Sequence, residues 1–206
     1  PRRVRGFGSD RLEVGLDVQF LQLRVTDRRR CAGQQALRGG RFGEGDHVAD
    51  GFGAGHQGRD AINAEGDLPD GGWEKLAAAD CLIFGAPTYM GSVSWPFKKF
   101  ADASSKPWFA QLWKDKLAAG FTNSASMNGD KLSTLHYLFT LAMQHSMIWA
   151  GAGMLPANSK AAQRNDLNYL GSFAGLMAQS PSDSTRDEVP LPGYLETAKI
   201  FGKRIA

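Results

Sequence analysis

Two short stretches hold the side chains best suited to chemistry. The first is Gly85-Ala86-Pro87-Thr88-Tyr89-Met90-Gly91, which lies between an apolar run and a helical pattern. Pro87 fixes the direction in which the chain leaves the run. Thr88 offers a hydroxyl and an N–H, Tyr89 an aromatic plane, and Gly91 a close backbone approach. That set suits a flat, polar-edged ligand such as a flavin ring, although from composition alone an ordinary strand-to-helix turn is the more common reading. The second stretch contains Asn123, Ser124, Ala125, Ser126, Met127 and Asn128, followed by Gly129 and Asp130. It is small, polar and rich in donors, and it runs into a helix start, where unpaired N–H groups and partial positive charge collect. Such an end can hold an anion or the carbonyl edge of a ring; plain helix capping by Ser and Asn is the alternative. His136 sits among Leu135, Tyr137 and Leu138 and reads as a packed or surface histidine. His145 stands at a helix end, where a lone histidine is most often structural. The sequence has no HxH, HExxH or Cys/His cluster, so a metal site has no support. It has no GxSxG elbow or Ser/His/Asp set either, so hydrolase chemistry has no footing.

The elements that must position these groups follow from apolar spacing. Residues 81–85 (CLIFG) and 117–122 read as buried strands, and 148–154 as a third. Residues 73–79, 94–104, 131–147, 168–179 and 195–205 read as helices. The clearest is 131–147, where Leu132, Leu135, Leu138, Phe139, Ala142 and Met143 recur at three and four residues and Asp130 can cap the start. Leu170, Phe173, Ala174 and Met177 give 168–179 its apolar face. Alternating strands and helices specify an α/β fold with a doubly wound parallel sheet. In such sheets the ligand lies beyond the carboxyl ends of the strands, which selects loops 86–94 and 123–131.

The 206 residues are 42% hydrophobic and 22% charged, as expected for one soluble globular domain. No run is long enough to cross a bilayer, and the start does not read as a signal peptide. Two cysteines, Cys31 and Cys81, are too few for a disulfide scaffold or a Cys-based zinc site, so a cytoplasmic setting is expected. The net charge of +3 is unevenly made: residues 1–60 hold eleven of the fourteen Arg, no Lys and twelve of the twenty-five Gly. Two compositions are joined in one chain. Residues 12–25 alternate apolar and polar and are able to form two strands. Arg28-Arg29-Arg30 would suit a nucleic-acid-binding arm, but aromatic residues are sparse there and no reading motif accompanies it. A solvated or disordered extension accounts for the segment better.

A longer pattern runs through residues 61–206. It comprises Trp73-Glu74-Lys75-Leu76, Ile83-Phe84-Gly85-Ala86-Pro87-Thr88-Tyr89-Met90-Gly91, Phe97-Lys98-Lys99-Phe100-Ala101-Asp102, Gly120-Phe121-Thr122-Asn123-Ser124-Ala125-Ser126, Gln144-His145-Ser146-Met147-Ile148-Trp149 and Asn168-Tyr169-Leu170-Gly171-Ser172. In order and spacing this resembles the flavodoxin-like NAD(P)H:quinone oxidoreductases, also known as the tryptophan-repressor-binding-protein or NADPH-dependent FMN reductase type. The resemblance implies a flavodoxin-like fold with FMN at the carboxyl edge of the sheet. It assigns Pro87, Thr88, Tyr89, Met90 and Gly91 to one side of the flavin ring, and Asn123 through Asn128 to its polar edge. It places His145 beside the flavin and quinone as the catalytic side chain, and Trp108 in the substrate pocket of an adjacent subunit of a tetramer. The implied reaction takes electrons from NAD(P)H and reduces quinones to quinols, with no membrane or nucleic acid as partner.

Residues 1–60 depart from that pattern. They lack the buried strand and Ser/Gly/His/Thr phosphate loop with which such chains begin, and Gly6-Phe7-Gly8-Ser9-Asp10 is a weak match. Each charge-assisted hydrogen bond to a phosphate is worth about 1.5–3 kcal/mol. A chain without them would be an electron carrier or a flavin-free inactive relative. The Arg/Gly bias also fits translation out of frame, since a one-base shift of plausible codons for residues 27–30 reads Ile-Ala-Val-Val.

Overall fold

The computed structural model describes residues 67–68, 71–185 and 188–206, together with the backbone of three strands at 13–17, 20–24 and 31–33. The centre of the sheet is made by β4 (Cys81–Tyr89) and β6 (Leu117–Ser124), parallel and in register from Cys81↔Leu117 to Pro87↔Asn123. Every residue of β4 from Cys81 to Thr88 is buried, as a strand covered on both faces requires. Successive side chains then serve opposite layers. Leu82, Phe84 and Ala86 join a core with Leu76, Phe97, Phe100, Trp113, Leu135, Leu138 and Ala142, whereas Cys81 and Ile83 join Ala119, Phe121, Ala198, Phe201 and Ile205. The first layer is supplied by α1 (Gly72–Ala78), α2 (Trp95–Ala103) and α4 (Lys131–Gln144), the second by α5 (Pro192–Ile205). The short α3 (Ser105–Phe109) follows α2.

On the outer side of β6 one strand position is filled by two pieces. β7 (Ile148–Trp149) pairs in parallel with Leu117 and Ala118, and β8 (Leu176–Gln179) with Phe121 through Ser124. The third strand expected over 148–154 therefore ends after two residues. The helix expected over 168–179 is a series of turns followed by a strand. Asn168 and Gly171 take φ of 49° and 69°, which no helix tolerates. Gly175 packs so close to β6 that a Cβ there would stand 2.4 Å from the Gly120 carbonyl oxygen. Sheet pairing thus overrides a local apolar period: Phe173 is exposed while Leu176 and Ala178 are buried.

The other flank of β4 carries β3 (Cys31–Gly33), parallel, with Cys31 opposite Cys81. A strand therefore exists at that position but is three residues long. The alternating stretch at 12–25 forms an antiparallel hairpin, β1 (Glu13–Asp17) with β2 (Phe20–Arg24). The remainder of residues 1–60, including any phosphate loop, frame error or disordered extension there, lies outside the described residues.

Two helix expectations need correction. Asp130 does not cap α4: its φ is 55° rather than extended, and its side chain makes no capping bond. The buried stripe of α4 runs through Lys131, Thr134, Leu135, Leu138 and Ala142, leaving Leu132, Phe139 and Met143 partly exposed. Among the described residues no helix is long and apolar enough to cross a membrane.

Candidate functional site

Because β4 and β6 are parallel neighbours, their carboxyl ends deliver the two selected stretches side by side, with Pro87 opposite Asn123. The first is a hairpin tip. β5 (Ser92–Val93) turns back antiparallel on Thr88 and Tyr89. Met90 and Gly91 take φ of 48° and 76°, and a two-residue turn with both central φ values positive matches the twist of the strands it joins. Met90 is almost wholly exposed and Tyr89 partly so. Thr88 faces inward instead. Its buried hydroxyl lies 2.8 Å from those of both Thr122 and Thr134, tying β4 to β6 and α4, so it braces the site and does not reach out of it.

The second stretch is held from beneath by its carbonyls. The Ser124 carbonyl accepts from the Ser180 N–H, and that of Ala125 from the Gln179 amide at 2.8 Å. The Lys131 ammonium donates to the carbonyls of Ser126, of Met127 at 3.1 Å and of Asn128 at 3.3 Å. In a planar trans peptide the N–H points opposite to the C=O. Turning these carbonyls inward therefore turns the N–H groups of Met127, Asn128 and Gly129 away from Lys131. Those three amides have no acceptor among the described residues. Gly129 permits the arrangement: its φ is 53°, and a Cβ there would lie 2.5 Å from Ser124 Oγ. Asn123 donates from its side-chain amide to Ser180 Oγ at 3.0 Å, while its Oδ1 is buried without a partner.

Lys131 is fully buried, and no carboxylate among the described residues pairs with it. Burial pushes its ammonium down to about 8, so it stays charged at neutral pH. Sequence reading passed over Lys131, Thr134, Gln179 and Ser180. A lysine in a helix's first turn opposes the helix dipole, and that was the available signal. Gln179 and Ser180 were hidden by the helix expected over 168–179.

His145 does not join these groups. α4 starts at the carboxyl edge and runs back along the sheet for fourteen residues, about 21 Å at 1.5 Å per residue. His145 follows its end, beside the start of β7 at the amino-terminal edge. It is buried, its ring centroid 4.1 Å from that of Trp113. Ser104 Oγ donates to the Ala101 carbonyl and so accepts from His145 Nε2 at 2.9 Å, while Nδ1 is buried without a partner. Within its own chain His145 is thus a core residue a helix length from the two loops, away from the flavin-side place that the resemblance implies. Trp108, on α3, also lies beyond the far end of α2 from the loops and is 43% exposed.

Burial pushes the His145 imidazole down to about 4. Between that value and the ordinary 6.5, the unfolded chain binds a proton that the folded chain does not. Stability should therefore be complete above pH 6.5 and fall by up to roughly 3 kcal/mol as pH drops through 4. Urea titrations from pH 7 to 4.5 check this. If His145→Gln keeps the same acid sensitivity as the parent, the effect does not come from this residue.

Comparison with known proteins gives the family. The family model described as NADPH-dependent FMN reductase matches residues 66–161. The flavodoxin FldP of Pseudomonas aeruginosa (strain UCBPP-PA14) is 51% identical over 145 residues, covering 70% of this chain and 78% of that one. The chain belongs to the flavodoxin-like NAD(P)H:quinone oxidoreductase family. Another family member, an NAD(P)H dehydrogenase (quinone) of Geotalea uraniireducens (strain Rf4), is 30% identical over 132 residues, or 64% of this chain. The match spans 63% of that relative's length. Among solved structures, the flavodoxin, WrbA-like protein from Agrobacterium tumefaciens is 50% identical, with a TM-score of 0.50 over 70% of this chain and 74% of that chain.

The flavin implied by the family fits the residues present. The imide edge of its ring alternates carbonyl, N–H and carbonyl. Three amides without an acceptor among the described residues and one orphaned acceptor, Asn123 Oδ1, would match those donors and acceptors.

Proposed function

We propose that the chain is an FMN-dependent NAD(P)H:quinone oxidoreductase that reduces quinones to quinols in a cytoplasmic setting, where NAD(P)H is supplied. The observation that carries this reading is the inward-turned carbonyl set of residues 124–128, which leaves a row of amides at the carboxyl edge of the sheet. A bound flavin would supply the two-electron chemistry. Asn123 and the amides of Met127, Asn128 and Gly129 would orient its polar edge, and Tyr89 and Met90 would cover the ring and exclude water. Trp108 and His145 lie far from the loops of their own chain. Trp108, being exposed, would serve the pocket of a second copy in a homotetramer. A second reading, an FMN-bearing electron carrier without quinone turnover, is favoured by the 51% identity to a protein named as a flavodoxin.

Titration of the purified chain with FMN should show saturable binding with perturbed visible bands. Adding a quinone should then sustain NAD(P)H oxidation. Binding without sustained oxidation selects the carrier. No binding at high micromolar FMN removes both readings.

A further inference from the structure

We propose that Lys131 sets the reduction potential of the bound flavin: its buried ammonium, caged by the Ser126, Met127 and Asn128 carbonyls and paired with no carboxylate among the described residues, favours the reduced cofactor over the oxidised one. This rests on the flavin reading above and adds to it a residue that touches no ligand and acts through the loop. Lys131 lies on the protein side of the loop whose opposite side presents the amides. An ion pair would cancel most of its field, and the low dielectric around a buried group preserves it. A flavin reduced by two electrons at neutral pH carries one more negative charge than the oxidised ring. A fixed positive charge behind its polar edge therefore binds the reduced form more tightly, while the oxidised, neutral ring gains little.

A lysine that only shaped the loop would behave differently. Its loss would weaken both redox forms alike and leave the potential where it was. The experiment compares the two-electron midpoint potential and the FMN dissociation constant of the wild type with those of Lys131→Gln, Lys131→Met and Lys131→Arg. Loss of charge in Gln and Met should weaken binding of reduced FMN about tenfold more than that of oxidised FMN. For a two-electron couple this lowers the midpoint by about 30 mV. Arg should restore most of it. An unchanged potential in Lys131→Gln overturns the proposal even if affinity falls. A wild-type potential no higher than that of free FMN overturns it too, and that measurement needs no variant to fold. Failure of the wild type to bind FMN at all is a separate result, seen in the first titration, and removes the flavin reading along with the proposal.

Discussion

Replacing Trp113 by alanine should destabilise the fold by about 3–5 kcal/mol, the range for removing a fully buried large aromatic side chain. Trp113 has no exposed surface. Its ring lies 6.3 Å from Trp73, 6.3 Å from Phe84, 6.2 Å from Phe100 and 4.1 Å from His145, centroid to centroid. Those four rings belong to α1, β4, α2 and the end of α4, so one side chain joins most of the layer on that face of the sheet. No single neighbour can move to fill the space without breaking another contact, and the cavity should persist. The indole N–H is buried without a partner, so Trp113→Phe removes a desolvation penalty while keeping most of the packing and should cost much less than alanine. Urea unfolding of both variants provides the check. A loss below 1 kcal/mol for alanine would mean that the aromatic cluster collapses freely into the space left by the indole.

Replacing Gly129 by valine should weaken FMN binding about tenfold or more while leaving the fold intact. Gly129 has a φ of 53°, and a Cβ would meet Ser124 Oγ at 2.5 Å. A residue with a Cβ in that region costs about 1–2 kcal/mol, and β-branching adds to it. The least costly escape is to rotate the peptides around Gly129, which turns the amides of residues 127–129 off the ligand side. Neighbouring residues 125–128 are exposed, so the damage should stay local. Thermal unfolding should change little while the flavin titration shifts. Unaltered affinity would show that the ring is held elsewhere.

The two predictions sit at opposite ends of the molecule, and the sequence reveals those ends unequally. CLIFG between Asp80 and the Gly85-Ala86-Pro87 run is readable as a buried strand because continuous apolarity over a short length is a local property. The same holds for the small-residue strand that becomes β6 and for the long helix before His145. The rule that ligands sit beyond the carboxyl ends of parallel strands then selects both loops, and strand pairing sets them side by side. Residues 168–179 show where local pattern fails. Leu170, Phe173, Ala174 and Met177 have helical spacing, yet pairing with Phe121 through Ser124 makes the last four residues a strand.

The sequence alone thus determined the fold class, the two central strands and the two stretches that follow them. Tertiary structure decided what each side chain does there. It turned the Thr88 hydroxyl inward to Thr122 and Thr134, brought Ser180 to Asn123 across 57 positions of chain, and placed Lys131 beneath three loop carbonyls. It also set His145 a full helix length from the loops of its own chain. The physical reason is range. Apolar periodicity is set by neighbours within a few residues, whereas the partner of a buried polar group is set by whichever distant segment the packed layers bring within hydrogen-bond distance.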